Sequence, residues 1–175
     1  MASGGVDVYR HRILTEVAGE IGETCNLTVP EGSQILYVDR VEAEWPFGVQ
    51  LPVGSRVPLH CTASGELYLG SLPESRRRKL LNSLPLDVYT LQTITNRETL
   101  SAEIEAIRRD KVGLDNEEFV AGMVAAAVSI MDGRGCTAAM LAVHAPVIRM
   151  DMAKLRAQIP LLRRAAKRIS ADIAN

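Results

Sequence analysis

The sequence predicts an α+β domain, in which a mixed, mainly antiparallel sheet is flanked by helices. Residues 25–29 alternate apolar and polar side chains, as a strand with one buried face does, and residues 35–41 continue the β pattern after a turn. Apolar residues recur at helical spacing near both ends of the chain. A length of 175 residues suits one compact domain, assigned to residues 1–175, with a sizeable core.

The chain begins with a predicted helix and a β-hairpin. Apolar residues within 6–17 follow helical spacing, and Gly19 stands where this helix could end. Residues 22–42 form the hairpin, because the turn-forming residues 30–33 separate its two strands. After an interruption, an extended path resumes at residues 49–51.

The stretch from residue 55 to residue 70 changes from an extended, proline-containing piece to small residues and then to a short apolar helix at 66–69. Thr62 or Ser64 can cap this helix, because a hydroxyl oxygen accepts a hydrogen bond from an unpaired amide in the first turn. Small side chains at 61–65 let another group approach the backbone, and the helix dipole favours an anion there. The alternative is a capped helix that packs tightly on a sheet and binds nothing.

Two capping boxes predict two further helices. Residues 71–74 would open a helix that reaches Leu84, and residues 95–98 would open another that ends near Asp110. The basic run at 76–79 would resemble a nucleic-acid patch in isolation. The apolar residues behind it at helical spacing favour a solvated helix face instead.

Beyond these helices the pattern changes to β, centred on a turn at 132–135. If this turn closes a hairpin, Ala125 faces Ala142 and Met123 faces His144. Period two then places these four side chains on one face of the sheet. Small side chains beside one imidazole leave room for a ligand. The alternative is a core strand with the histidine satisfied near the sheet edge.

The C-terminal segment predicts a helix with one long apolar stripe. Apolar residues from Met152 to Ile173 follow alternating spacings of three and four, and Pro160 should kink or delay the helix. The apolar stripes of this helix and of the first helix together exceed what one small domain would bury. The excess apolar surface predicts self-association. The predicted order of elements is α-β-β-β-α-α-β-β-α.

Composition excludes several classes of protein. The 20 basic and 21 acidic residues nearly balance, so the sequence predicts no electrostatic field that attracts nucleic acid or a membrane. Aromatic residues are 4%, too few for a base-stacking surface. Three cysteines without paired spacing indicate reduced thiols and a cytoplasmic protein. The N-terminus has no apolar signal core, and the longest apolar run, at 119–131, is too short to cross a membrane.

Motifs of nucleotide binding, serine hydrolysis and zinc proteolysis are missing from the sequence. Glu117 and Glu118 would alternate in direction on a strand, which favours solvation over acid–base roles. Four possible metal ligands lack ligand spacing, apart from one adjacent pair: His60, Cys61, Asp115 and His144. The sequence therefore predicts no cofactor, no metal site and no enzymatic activity.

Seven short motifs follow one another in the order found in a known family. They are Glu23-Thr-Cys-Asn-Leu27, Tyr37-Val-Asp39, Val53-Gly-Ser-Arg-Val-Pro-Leu-His60, Thr62-Ala-Ser-Gly65, Leu72-Pro73, Asp115-Asn-Glu-Glu118 with Gly122, and Asp132-Gly-Arg-Gly135. No single motif is specific, but seven in register are. Over nearly its whole length, the chain resembles the C-terminal effector-binding domain of IclR-type transcription regulators, which has a GAF-like fold.

The resemblance implies a pocket for a small, usually carboxylate-bearing metabolite. Its apolar wall matches Pro46, Val49, Val57 and Met123, its backbone amides match Ala63 and Ser64, and its polar side matches Asp115, Ala125, Ala142 and His144. The chain departs from the family pattern at Glu66, where lysine is usual. It also departs at Ala125, where cysteine is common, and at His144, where a small hydroxyl residue is frequent. The effectors of relatives should therefore not be transferred to this chain.

The implied function is ligand sensing by a bacterial-type transcription regulator. A small-molecule effector would shift the geometry of a homodimer or tetramer, and that shift would control DNA binding by an N-terminal winged helix-turn-helix domain absent from this chain. An imidazolium at His144, kept protonated by Asp115, would hold an anionic effector. The alternatives are a small-molecule enzyme on the same sheet and a GAF-like interaction module without a ligand. No membrane partner is expected, nor specific DNA binding by this chain alone.

Overall fold

The structure is a computed structural model that describes residues 3–44 and 51–174, with side chains from residue 7 onward. Its elements follow the chain in this order: α1 (Ser3–Ile21), β1 (Thr24–Glu31), β2 (Gln34–Val41), β3 (Arg56–Pro58), α2 (Ala63–Ser71), α3 (Glu74–Ser83), α4 (Arg97–Asp110), β4 (Gly113–Asn116), β5 (Met123–Met131), β6 (Thr137–Pro146), α5 (Met152–Ala157) and α6 (Ile159–Ile173). The three middle helices correspond to those predicted at 66–69, from 71 and from 95, although the predicted order counts only two. One strand is added, and the last helix is divided.

All six strands belong to one sheet, in the order β3-β2-β1-β6-β5-β4. Each neighbouring pair is antiparallel. The predicted α+β fold with a mainly antiparallel sheet and flanking helices is therefore confirmed.

Helices cover both faces of the sheet. α1, α5 and α6 cover one face and contribute residues such as Leu14 and Leu162 to its apolar layer. α2, α3 and α4 cover the other face, where Leu67 and Ile104 are buried. Among the described residues, the helices are too short or too polar to cross a membrane. The small residues predicted for a pocket belong to the second face.

The apolar stripe of the C-terminal helix is buried inside the domain. Leu155, Leu162 and Ile169 are at most 1% exposed and pack with residues of the sheet. Pro160 is the second residue of α6 and divides the predicted helix in two, because proline lacks an N–H and suits only the first turn of a helix. This stripe is therefore no argument for self-association, since the sheet of the domain itself covers it.

Thr62 caps α2, as predicted. Its side-chain oxygen accepts a hydrogen bond from the Gly65 N–H at 3.2 Å, and its hydroxyl donates to the Pro58 carbonyl at 2.6 Å. A Cβ at Gly65 would lie 2.5 Å from both the Cα and the carbonyl oxygen of Leu59. The start of α2 therefore rests directly on the backbone that precedes it.

Neither predicted capping box is present. The residue before α3 is Pro73, and the Ser71 hydroxyl turns back to donate to a carbonyl of α2. α4 is capped by Asn96, whose side chain accepts from the Thr99 N–H at 3.0 Å, and not by Thr95. In both cases another residue occupies the position that the pattern assigned to a hydroxyl.

The basic run at 76–79 is only partly a solvated face. Arg77 is 6% exposed and donates to the Leu72 carbonyl at 2.8 Å. Its guanidinium also pairs with Glu105 of α4 at 3.2 Å. This arginine thus joins the end of α2 to α3 and α4.

The β5–β6 hairpin has a register two residues away from the predicted one. Ala125 faces His144 instead of Ala142. The turn includes Cys136, whose N–H donates to the Asp132 carboxylate at 3.0 Å, and a bulge follows in β6. A shift of two residues keeps every side chain on its predicted face.

Candidate functional site

The start of α2 carries buried N–H groups outside the helical hydrogen-bond ladder. The first bond of the ladder joins the Glu66 N–H to the Thr62 carbonyl at 3.0 Å, so Ala63 and Ser64 precede it. Neither N–H has a hydrogen-bond partner among the described residues. The Ser64 hydroxyl oxygen accepts from the Thr28 hydroxyl at 3.1 Å, which fixes the helix start over β1.

Four predicted site residues share one apolar cluster: Val57, Ala63, Ala125 and Ala142. Each is at most 2% exposed. Asp115 on β4 faces Ala125 on β5, and residues that face each other across an antiparallel pair project to the same side of the sheet. The structure therefore brings the start of α2, the small sheet residues and the Asp115 carboxyl group to one side.

Other predicted residues lie at the margin of this region. His144 is half-buried, and its ring centroid is 6.2 Å from that of Tyr37. Met123 is half-buried at the end of β5, opposite Pro146. The predicted wall residues at 46 and 49, Pro46 and Val49, lie outside the described residues.

The imidazole of His144 is neutral near pH 7. Burial lowers the pKa of His144 to about 4, and the positive charge of Arg40 acts in the same direction. Both shifts run against the expectation of an imidazolium kept protonated by Asp115. Burial also raises the pKa of Asp115 to about 7, so this group carries only part of a negative charge at neutral pH.

Asp115 and Glu118 are buried carboxyl groups at the end of β4. The Asp115 carboxylate accepts the Glu118 N–H at 2.7 Å, and the two residues are 5% and 8% exposed. Burial raises the pKa of Glu118 to about 8, with a further contribution from the charge of Asp115. The expectation that Glu118 is solvated is wrong, because the chain folds back over it.

Glu66 on α2 is the third buried carboxyl group of this region. Its side chain is 0% exposed, and neither carboxylate oxygen has a hydrogen-bond partner among the residues that the structure describes. Burial raises the pKa of Glu66 well above its usual value, and the charges of Glu118 and Asp115 raise it further. Glu66, Asp115 and Glu118 are called the carboxyl cluster below.

Two threonines that the sequence patterns did not indicate hold the loop after β4. The Thr90 hydroxyl donates to the Glu117 carbonyl at 2.6 Å, and the Thr93 hydroxyl donates to the Glu118 carbonyl at 2.6 Å. Hydroxyl residues three positions apart are typical of turns. A sequence, however, carries no signal for the distant loop that such a turn supports.

The region suits binding better than covalent chemistry. Burial raises the pKa of Cys61, and the charges of Asp115 and Glu66 raise it further, so this thiol stays protonated and weakly nucleophilic. The His60 Nε2 lies 2.9 Å from the Asp87 carbonyl, which occupies that nitrogen as a structural partner. In the described ranges, no group of three His, Cys, Asp or Glu side chains could hold a metal ion.

Comparison with known sequences places the chain among transcription regulators. A family model described as "Bacterial transcriptional regulator IclR C-terminal" matches residues 5–171. "Probable transcriptional regulator SauR" of Cupriavidus necator is 46% identical over 166 residues, which are 95% of this chain and 66% of that protein. "HTH-type transcriptional regulator Rv1719" of Mycobacterium tuberculosis is 35% identical over 143 residues, 82% of this chain and 54% of that protein. The chain thus spans less than two thirds of either relative.

Solved structures share the fold. The IclR protein of Thermotoga maritima matches with a TM-score of 0.91 and 28% identity, over 99% of this chain and 70% of that one. A double mutant of the PobR inducer-binding domain from Acinetobacter, in complex with 3-hydroxybenzoic acid, matches with a TM-score of 0.84 over 93% of this chain and 95% of that one. At 24% identity, this second likeness is one of fold alone. The resemblance carried by the seven motifs is confirmed: the chain belongs to the IclR family of bacterial transcriptional regulators and corresponds to its C-terminal domain.

Proposed function

We propose that this chain is an effector-binding domain and that it takes a small, carboxylate-bearing metabolite between α2 and the sheet. The observation that carries the proposal is the buried start of α2, where the Ala63 and Ser64 N–H groups have no partner among the described residues. Buried backbone N–H groups nearly always find an acceptor, and a helix N-terminus favours an anion. A carboxylate meets both requirements.

The opposite wall supports a small ligand. Ala125 and Ala142 end at their Cβ atoms, and His144 offers a neutral imidazole at the margin. A neutral imidazole can donate one hydrogen bond and accept another. The complex of the Acinetobacter domain with 3-hydroxybenzoic acid supports the view that this fold can accommodate a small acid.

The proposed output is control of transcription. Relatives named as transcriptional regulators support a sensing role over a catalytic one. DNA recognition would belong to a winged helix-turn-helix domain outside these residues, because the balanced charge of this chain provides no strong attraction to nucleic acid. Effector binding would change the geometry of a homodimer or tetramer and thereby the affinity for DNA.

A thermal-shift screen of small organic acids tests the site, because a ligand of the native state raises the unfolding midpoint by mass action. His144→Phe keeps a ring beside Tyr37 but removes both nitrogens, so acids that stabilise the wild type should bind it roughly tenfold more weakly. His11→Phe is the control for loss of an imidazole, since His11 is exposed on α1 and contacts Asp39. Because His11 also lines the groove between α1 and β2, the sedimentation of this variant is measured alongside. This control should bind like the wild type. A screen without a stabilising acid, or equal binding by all three proteins, would contradict the proposal.

We further propose that the protein self-associates through α1 and β2. Val8 and Val38 are 69% and 43% exposed and line one groove of about 490 Å³. Burying these side chains against another copy would be favourable. The wild type should sediment as a dimer or tetramer at micromolar concentration, and Val8→Asp should weaken this association. Val88→Asp, which changes a 72% exposed residue before α4, should have no effect. A monomeric wild type would count against self-association.

A further inference from the structure

The carboxyl cluster has no counter-charge from the described residues. Both oxygens of Glu66 are buried without a hydrogen-bond partner. Asp115 and Glu118 are also buried. The ion pairs within residues 7–44 and 51–174 all use other carboxylates. A buried acceptor without a donor is costly, and such groups are nearly always satisfied.

The three carboxyl groups come from separate elements, and the charges of Asp115 and Glu118 act on Glu66. Glu66 lies in the first turn of α2, whereas Asp115 lies on β4 and Glu118 follows it in the next loop. The Glu118 N–H fixes the Asp115 carboxylate at 2.7 Å. The exposed Glu103 of α4 adds a further negative charge that Glu66 feels. The site is therefore built, and its carboxyl groups can ionise beside a cationic donor.

The amides and the carboxyl cluster place opposite demands on a ligand. The N–H groups of Ala63 and Ser64 favour an anion, whereas Glu66 on the same turn favours a cationic donor. A simple carboxylate bound at the amides would leave the Glu66 oxygens without a donor, and it would repel any ionised member of the cluster. A ligand that carries its own positive group avoids the repulsion and satisfies the Glu66 oxygens.

We propose that the ligand is bipolar, with a carboxylate that accepts from the first-turn amides of α2 and a protonated nitrogen that donates to Glu66 together with Asp115 or Glu118. This inference rests on the proposed effector site and narrows its ligand to an amino or guanidino acid. Glu66 is the specificity-determining residue, because it is the member of the cluster whose oxygens lack any partner.

The test uses three pairs of acids that differ only by an amino group. They are propionate and β-alanine, butyrate and 4-aminobutyrate, and 4-methylbenzoate and 4-(aminomethyl)benzoate. Each probe is titrated into the wild type, Glu66→Gln and Glu20→Gln, with the dissociation constant and the thermal midpoint as readouts. In at least one pair, the amino acid should bind the wild type roughly tenfold more tightly than its partner, as a charge-assisted hydrogen bond allows.

Glu66→Gln should abolish this preference, because a neutral amide cannot balance an ammonium group. Glu20→Gln makes the same change of charge at an exposed position of α1, away from the cluster, and should keep the preference. Glu118→Gln is a second variant in case Glu66→Gln does not fold, and it should reduce the preference. Equal or tighter binding of the plain acids, or a preference that survives both cluster variants, would overturn the bipolar ligand and leave the acid site standing. Binding by none of the six probes would also overturn it, and the broader acid screen then decides separately on the site.

Discussion

Replacing Gly113 by alanine should destabilise the domain by about 3 kcal/mol, at the upper end of the usual cost of forcing an atom into a packed interior. A Cβ at this position would lie 2.0 Å from the Ala63 carbonyl oxygen and 3.0 Å from the Leu67 Cβ. The carbonyl is helix backbone and cannot rotate away, so β4 and α2 must move apart. Urea unfolding should show a lower midpoint with an unchanged slope.

Gly133→Ala is the matched control for this prediction. A Cβ at Gly133 approaches only the Ala174 Cα, at 4.0 Å, so its stability should stay within about 0.5 kcal/mol of the wild type. Wild-type stability of Gly113→Ala would contradict the close contact between β4 and α2. If that variant folds, it should also bind effectors weakly, because Ala63 and Asp115 would no longer keep their spacing.

Alternation along the strands predicts the faces of the sheet well but not its register. Ala125, Ala142 and His144 share a face in both the predicted and the observed hairpin, although the register differs by two residues. The face depends only on whether a position is odd or even along the strand. The register also depends on the length of the turn at Cys136 and on a bulge, and hydrophobic pattern determines neither.

The carboxyl cluster is the part of the site that the sequence predicts least. Adjacent charges such as Glu117 and Glu118 are typical of solvated strand ends, yet Glu118 is buried by a loop that Thr90 and Thr93 hold in place. Glu66 has apolar neighbours in a short helix, but its burial depends on elements that pack against α2 from elsewhere in the chain. A site assembled from three distant segments has no local pattern that reports it.

Raising the pH from about 5.5 to about 8.5 should lower the free energy of unfolding by roughly 4 kcal/mol. The pKa values of Asp115 and Glu118 are raised to about 7 and about 8. The unfolded chain has released these protons by pH 5.5, whereas the native state still holds them, so the native state loses its advantage as pH rises through these values. The lowered pKa of His144 has the opposite effect. Below pH 6.5 the histidine of the unfolded chain binds a proton that the native ring does not bind, so this residue adds stability as pH rises. The two carboxyl groups outweigh the single histidine, so the free energy of unfolding falls as pH rises.

Glu66→Met separates the carboxyl cluster from other causes of this pH dependence. Methionine keeps the length of the side chain and removes a buried group whose pKa is raised by burial, by Glu118 and Asp115, and by Glu103 of α4. At about pH 8.5 the variant should be more stable than the wild type by roughly 2 kcal/mol, since replacing an unpaired buried carboxylate by an apolar group removes a desolvation cost. At about pH 5.5 the gain should shrink, because the raised pKa of Glu66 makes its neutral form more populated as pH falls. Glu20→Met, at an exposed position of α1, should change stability by no more than about 0.5 kcal/mol at either pH. Urea unfolding of all three proteins at both pH values measures these differences. If the variant is less stable than the wild type at the higher pH, Glu66 must have a stabilising partner in solution. That result would contradict the structure, in which both Glu66 oxygens are unpaired.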